Sequence, residues 1–275
     1  MMKTRLVIFF FLLSILGMKA ENLEEPSNDS NVSTLWLNNG ERKIYGELFI
    51  PADKTRGTAI ISHGFNGNHT FSRNYFDLMN DLGYQCYVFD FPCGSVNSLS
   101  DPNTINMSIR DEQSDLTAIV NYFKQKDPNG EIVLIGESQG GLVSSLVAAE
   151  MGETIDKLIL VFPAFCIPDN WRERYSKVDD IPEITELWGV KLGKRFFEEI
   201  HDMHPMEIIG AYTNPVLIVQ GDQDRIVMVE DSKRASEIYK DARLHIISGA
   251  GHGFKPEEFK EQNKQIKLFL TKKEY

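Results

Sequence analysis

Residues 136–140 read Gly-Glu-Ser-Gln-Gly and are the stretch of this chain whose residue types and spacing point most directly to chemistry. The apolar residues 132–135 before them predict a buried strand, and the apolar run from Leu142 to Ala149 predicts a buried helix. Gly-x-Ser-x-Gly between a strand and a helix is typical of a nucleophile elbow, a sharp turn that exposes the hydroxyl, here that of Ser138. The flanking elements carry this interpretation, because the pentapeptide alone also occurs by chance as a glycine-rich turn.

A serine hydroxyl is a weak nucleophile at neutral pH and needs a general base, normally an imidazole held by a carboxylate. His252 stands in a loop of small residues directly after the last predicted strand, so we predict that it is this base rather than an ordinary surface histidine. The carboxylate should follow the preceding strand, where both Asp222 and Asp224 are available. The backbone N–H of Gln139, directly after the nucleophile, is the expected donor to a developing oxyanion.

The elements that must position these residues alternate between strand and helix. After an N-terminal hairpin, with strands near 33–37 and 43–50, the alternation predicts an α/β fold with a mainly parallel eight-stranded sheet covered by helices. Right-handed crossovers would bring the carboxyl ends of the parallel strands to one edge, where the three side chains can meet. Residues 163–214 break the alternation with aromatic, charged and proline residues, and predict an inserted helical cap.

The N-terminal residues 1–20 combine a basic start with an apolar run and predict a signal peptide, with an uncleaved membrane anchor as the alternative. Residues 21–32 are polar and predict a disordered leader, which leaves 33–275 as the folded domain. We therefore expect a secreted or periplasmic protein without stable membrane association. The net charge of −11, with no basic patch, argues against a nucleic-acid partner.

The three cysteines have no spacing suited to zinc, and no metal or other cofactor is expected. Cys86 lies within an apolar strand and should belong to the core. Cys93 and Cys166 both follow predicted strands, so a bridge between them stays open as a hypothesis.

Together these motifs resemble the α/β-hydrolases, and among them the cinnamoyl (feruloyl) esterases and their lipase-like relatives. The family pattern Gly-x-x-Asp-x-x-Val matches Gly221, Asp224 and Val227, so the resemblance favours Asp224 as the acid, with Asp222 as the fallback. An aspartate at position 222 can otherwise stabilise the turn by bonding to its own backbone. The family loop His-Gly-Phe-x-Gly-Asn matches residues 63–68 in full, which implies that the N–H of Phe65 is a second oxyanion donor. The family's Arg-Gly-x-Gly loop is absent, since residues 92–95 read Pro-Cys-Gly-Ser.

The resemblance implies a serine carboxylic ester hydrolase that works through an acyl-enzyme on a small-molecule or oligosaccharide ester. It further implies hydroxycinnamoyl (feruloyl) esters of plant cell-wall sugars as substrates. In the cap, Asp169 would accept a hydrogen bond from the phenol and Trp171 or Phe165 would stack on its ring, unless these residues only pack the cap. The alternatives are a short-chain or lipase-like esterase, a serine peptidase or acyltransferase of the same fold, and a non-catalytic binding module.

Overall fold

The computed structural model describes residues 31–271. The predicted signal peptide and almost all of the predicted leader lie outside these residues, although Val32, the last leader residue, begins the first strand. The strands in this range are β1 (Val32–Asn39), β2 (Arg42–Phe49), β3 (Gly57–Ser62), β4 (Tyr84–Phe89), β5 (Glu131–Glu137), β6 (Lys157–Val161), β7 (Ile184–Leu187), β8 (Val190–Gly193), β9 (Val216–Gly221) and β10 (Ala242–Ile247). The α-helices are α1 (His69–Ser72), α2 (Phe76–Asp81), α3 (Ile109–Lys126), α4 (Gln139–Met151), α5 (Ile167–Arg174), α6 (Lys194–His201), α7 (Pro205–Ile208), α8 (Val229–Ile238) and α9 (Pro256–Thr271).

Eight of these strands form one sheet in the order β1-β2-β4-β3-β5-β6-β9-β10. The pairs β1–β2 and β2–β4 are antiparallel, and every other neighbouring pair is parallel. This confirms the predicted α/β fold with a mainly parallel sheet. Because β5, β9 and β10 run in the same direction, the loops that follow them open at the same edge.

The central strands are buried on both faces, as their apolar sequences indicate. Alternate side chains enter two separate cores: Ile60 and Leu134 pack against the α3 and α4 face, while Ile61 and Ile135 pack against the face covered by α2 and α9. Helix α4 is apolar nearly all round because it is buried from Gln139 to Ala148. The helix that follows the proposed elbow is thus packed on all sides within the core on the α3 and α4 face, which restricts its movement.

The insertion between β6 and β9 is not wholly helical, in contrast to the expectation of a helical cap. It contains the helices α5, α6 and α7, but also the antiparallel hairpin β7–β8 with Trp188 and Gly189 at its turn. Within residues 31–271, no helix is both long and apolar enough to span a bilayer.

Candidate active site

Ser138 sits on the turn between β5 and α4 with φ +52° and ψ −118°, a conformation that non-glycine residues rarely adopt. The two flanking glycines make this turn sterically possible. A Cβ on Gly140 would lie 2.3 Å from the carbonyl oxygen of Ser62, and one on Gly136 would lie 2.4 Å from that of Gly140. Any side chain at either position would therefore push apart the strand, the turn and the helix.

The imidazole of His252 joins the loops after three strands. Its Nε2 lies 3.1 Å from Ser138 Oγ, and its Nδ1 lies 2.9 Å from Asp224 Oδ2. Serine, imidazole and carboxylate thus form one hydrogen-bonded chain, and the distances suit proton transfer from the hydroxyl to Nε2. The structure brings together the three residues that the sequence singled out for this chemistry.

Asp224 is held as a carboxylate by several donors. Its Oδ1 accepts the N–H groups of Ile226 and Val227, both at 2.9 Å, and its Oδ2 also accepts Gln220 Nε2 at 3.1 Å. Burial acts to raise the pKa of Asp224, but the hydrogen bonds from His252 and from these N–H groups outweigh it and lower the pKa. The side chain therefore stays ionised beside the imidazole.

Asp222 does not reach His252 and has a different function in the structure. Its carboxylate accepts the N–H of Gly249 at 2.7 Å and the hydroxyl of Ser248 at 3.1 Å. The first of these bonds is the main reason for the lowered pKa of Asp222. Instead of tying its own turn, as the sequence suggested, Asp222 ties the loop after β9 to the loop that carries His252.

The loop after β3 lies directly over Ser138. A Cβ on Gly64 would approach the Cβ of Ser138 to 3.0 Å, so the loop and Ser138 are in close contact. Within the described residues, the backbone N–H groups of Phe65 and Gln139 have no hydrogen-bond acceptor. Two unsatisfied N–H donors beside a nucleophile are the arrangement that stabilises an oxyanion.

His63, the first residue of this loop, is a buried neutral support. Its Nε2 accepts the N–H of Phe91 at 3.1 Å and its Nδ1 lies 2.8 Å from the carbonyl oxygen of Gly64. Because burial lowers the pKa of His63, the ring is neutral and fills both bonds at once. His63 therefore holds the loop in place and shares no hydrogen-bond partner with His252.

Two glutamates without a predicted role flank the elbow, the buried Glu112 and the part-buried Glu137. Glu112 on α3 has both carboxyl oxygens within 3.0 Å of Gln139 Nε2, and burial raises its pKa to about 8 against that hydrogen bond. Glu137, next to Ser138, accepts the hydroxyl of Tyr75 at 2.6 Å, and burial raises its pKa as well. No local sequence signal marks Glu112, since its partner lies 27 residues away.

Ser138 and His252 open into a cavity of about 590 Å³ between the sheet edge and the insertion. The lining is mainly apolar and aromatic, and the rings come from both parts of the chain: Phe65, Phe71, Phe162, Trp171, Trp188 and Phe196. The polar side chains facing it include Asn170, Arg174 and Arg225. This is the composition of a small-molecule site in which a few polar groups orient a mostly apolar ligand.

Of the three cap residues that the sequence proposed for substrate binding, only Trp171 lines the cavity. Phe165 is buried in the core instead, with 2% of its surface exposed. Asp169 points to solvent and pairs with Arg172 one turn further along α5. The helix begins at Ile167, and this start turns Asn170, Trp171 and Arg174 toward the cavity rather than Asp169.

The cysteines are all free, so the possible bridge between Cys93 and Cys166 is absent. Cys86 is buried in the second core, as expected, and burial raises the pKa values of Cys93 and Cys166 to about 11. Among residues 31–271, no cluster of three or more His, Cys, Asp or Glu side chains could hold a metal ion.

Comparison with known proteins places this geometry among hydrolases. The family described as serine aminopeptidase, S33, matches residues 53–200. Lipase 3 of a Moraxella species is 25% identical over 90% of this chain and 86% of its own length. The uncharacterized protein YqkD of Bacillus subtilis is 26% identical over 76% of this chain and 68% of its own length.

Among solved structures, Est1E from Butyrivibrio proteoclasticus with bound ferulic acid is 27% identical, with a TM-score of 0.77. The match covers 86% of this chain and 97% of Est1E. A monoacylglycerol lipase from Paleococcus ferrophilus, 19% identical with a TM-score of 0.65, shares the fold.

Proposed function

The chain belongs to the serine aminopeptidase S33 family of α/β-hydrolases, and on this basis we propose that it hydrolyses carboxylic esters with Ser138, His252 and Asp224 as its catalytic triad. The observation that carries the proposal is the continuous hydrogen-bonded chain from Ser138 Oγ through His252 to Asp224, at the floor of an apolar cavity. The similarity to esterases and lipases supports the same reaction class.

In the proposed reaction, Ser138 Oγ attacks the ester carbonyl while His252 Nε2 takes the hydroxyl proton. The negative charge on the carbonyl oxygen is received by the N–H groups of Phe65 and Gln139. The intermediate collapses to an acyl-serine, and His252 returns its proton to the departing alcohol. Water, deprotonated by the same nitrogen, then cleaves the acyl-serine and restores the hydroxyl, while Asp224 stabilises the imidazolium in both halves.

The cavity favours an ester over the amino-terminal peptide that the family description suggests. An aminopeptidase must bind the α-ammonium group of its substrate, for which a carboxylate is the natural partner. Among the described cavity-lining residues the only acid is Glu137, which is already bonded to Tyr75 and has a raised pKa. The free charges in the lining are instead positive.

The test is hydrolysis of 4-nitrophenyl acetate by wild type, Ser138→Ala and the surface control Ser236→Ala. We expect Ser138→Ala to lower kcat by about 10⁴- to 10⁶-fold with an unchanged Tm, because removing a triad member costs that much and the hydroxyl makes little packing. A serine-reactive phosphonate should add one adduct to wild type and to the control, and none to Ser138→Ala. Activity of Ser138→Ala within tenfold of wild type would refute the assignment.

For the substrate, we propose hydroxycinnamoyl esters such as those that link ferulate to plant cell-wall sugars. The aromatic lining suits a planar acyl group, and the ferulic acid bound to Est1E supports the choice. Since Asp169 points away, the amide of Asn170 is the group in this wall that can pair with the phenol. We expect a higher kcat/KM for methyl ferulate than for a long-chain 4-nitrophenyl ester, and a fall in that preference in Asn170→Ala. The opposite preference in wild type would reject the acyl specificity.

We also propose that the chain is exported, on the pattern of residues 1–20. Sequencing of the mature N-terminus should place it near Glu21. Recovery of intact Met1 in a membrane fraction would contradict this.

A further inference from the structure

Two arginines line the wall of the cavity. Arg174 lies on α5 in the cap, and Arg225 lies in the loop after β9, where it is the residue that follows Asp224 in the sequence. Both side chains are exposed, and within the described residues neither guanidinium makes an ion pair or donates a hydrogen bond to a protein acceptor. Five arginines elsewhere pair with Asp or Glu, namely Arg42, Arg56, Arg73, Arg172 and Arg195. Exposed Arg110, Arg234 and Arg243 make no ion pair within the described range either, so it is their position in the cavity wall that distinguishes Arg174 and Arg225.

The setting of each arginine leaves its N–H groups available to a ligand. The guanidinium of Arg174 lies over the rings of Trp171 and Tyr175, 5.2 Å and 5.5 Å from their centroids. Stacking uses the flat face of a guanidinium, so the N–H groups along its edge stay free. Arg225 cannot pair with the neighbouring Asp224, because that carboxylate is buried and already bonded to His252 and to two backbone N–H groups.

The charge in the cavity is opposite to that of the whole chain. The chain carries −11, yet the lining has two arginines against the single acid Glu137, which Tyr75 engages and whose pKa is raised. At physiological ionic strength charges are screened over about 8 Å, so a ligand inside the cavity is affected by these arginines more than by acidic residues on the far side of the protein. An arginine also matches a carboxylate with two parallel hydrogen bonds, which a lysine cannot do.

We propose that the cavity selects esters that carry a carboxylate near the scissile bond, and that Arg174 and Arg225 are the residues that recognise it. This inference rests on the proposed ester hydrolysis and adds a second preference to it: among hydroxycinnamoyl esters, as among others, the cavity should favour those that also carry a carboxylate on the alcohol or acyl part. The carboxylate is a bystander in the reaction, so the arginines should act mainly through KM.

The experiment compares anionic esters with neutral partners of nearly the same shape. One pair is 4-acetoxybenzoate and its methyl ester, with the carboxylate on the alcohol part. The other is 4-nitrophenyl hydrogen adipate and 4-nitrophenyl methyl adipate, with the carboxylate on the acyl part. The measured quantity is the ratio of kcat/KM for the anionic ester to that for the neutral one. Comparing this ratio between enzyme variants cancels the intrinsic reactivity of each substrate.

The test variant is Arg174→Gln/Arg225→Gln, and the control is Arg110→Gln/Arg234→Gln, which removes the same charge from residues that do not line the cavity. We expect the ratio of at least one pair to fall tenfold or more in the test variant, through KM, and to stay unchanged in the control. A fall of more than threefold confined to the test variant supports the proposal. A smaller fall in both pairs, or an equal fall in the control, overturns it.

The neutral esters separate this proposal from the proposed function. Hydrolysis of the neutral esters at wild-type rates by the test variant shows that the catalytic groups and the fold are intact. If wild type hydrolyses none of the four esters, the proposed function itself fails. If it hydrolyses them with no dependence on Arg174 and Arg225, only the anionic preference is wrong.

Discussion

The sheet edge and the cap line the same cavity but are held in place by different forces. At the edge, close backbone packing holds Ser138 in place, and hydrogen bonds with Val227 and His252 hold Asp224. In the cap, Trp188 is 69% exposed at a hairpin turn and Asp169 makes an exposed ion pair. The proposed catalytic side chains therefore lie where packing leaves little room to move, whereas the cap contributes side chains that can change at small cost.

The largest effect should separate two aspartates at the sheet edge. Asp224→Asn should lower kcat by about 10⁴-fold, because an amide cannot hold and stabilise the imidazolium as a carboxylate does. Asp222→Asn should stay within tenfold of wild type, since Asp222 only ties two loops together. Steady-state kinetics with 4-nitrophenyl acetate measures both, and a larger loss in Asp222→Asn would reverse the carboxylate assignment.

Two glycines test the difference in packing. Gly140→Ala should destabilise the fold by several kcal/mol and abolish activity, because its Cβ would meet the Ser62 carbonyl oxygen at 2.3 Å. Gly189→Ala at the cap hairpin has φ +81° but open space around it, and should cost only about 1 kcal/mol. Thermal unfolding of both variants measures this, and equal losses would remove the contrast between edge and cap.

Glu112 allows a pH test of the buried bonds beneath the elbow. Burial raises the pKa of Glu112 from 4.5 to about 8 in the folded protein. Between these two pH values the folded protein keeps a proton on Glu112 that the unfolded chain releases. The stability due to Glu112 is therefore full below pH 4.5 and is lost as the pH rises through 8. Asp115, Arg42 and Asp111 also act on this carboxyl.

Glu112→Gln removes the titration but keeps a group that can pair with the Gln139 amide after an amide flip. Relative to wild type, the Tm of Glu112→Gln should thus rise by a few degrees between pH 5 and pH 9. A Tm difference that does not change with pH would show that Glu112 does not titrate in this range.

The smallest effect is expected in the cap. Asp169→Ala should change the free energy of unfolding by less than about 1 kcal/mol, because its ion pair with Arg172 is exposed and screened. It should leave kcat/KM for methyl ferulate unchanged, since Asp169 does not line the cavity. A tenfold loss of kcat/KM would show that the cap rearranges to bring Asp169 to the substrate.

The same contrast decides what the sequence could predict. The elbow and the loop around His252 can be recognised in the sequence from glycines at fixed offsets and from the β-branched residues of the strands before them. Both are local signals. The cap gives no such signal. The strands β7 and β8 have four residues each and carry charges, so the hydrophobic pattern of the sequence does not predict that they pair. A helix start one residue earlier or later turns a different face to the cavity, which is why the sequence pointed to Asp169 although Asn170 is the residue that lines the cavity.

The sequence also could not predict contacts between residues that lie far apart in the chain. Gln139 and Glu112 meet only because α3 and α4 pack together, and Asp222 reaches Ser248 only because β9 and β10 are neighbours. The same holds for the cysteines, because their spacing in the sequence does not say whether Cys93 and Cys166 lie close enough to form a disulfide.

The hydrogen bond between Ser138 and His252 spans 114 positions of the chain. During synthesis Ser138 therefore leaves the ribosome long before His252, and β9 and β10 must both join the sheet before the two side chains can meet. Contacts of such long range are formed late and slowly in folding. A partly made or unfolded chain is thus expected to be catalytically silent, so the onset of ester hydrolysis after dilution from denaturant would time the docking of the last two strands.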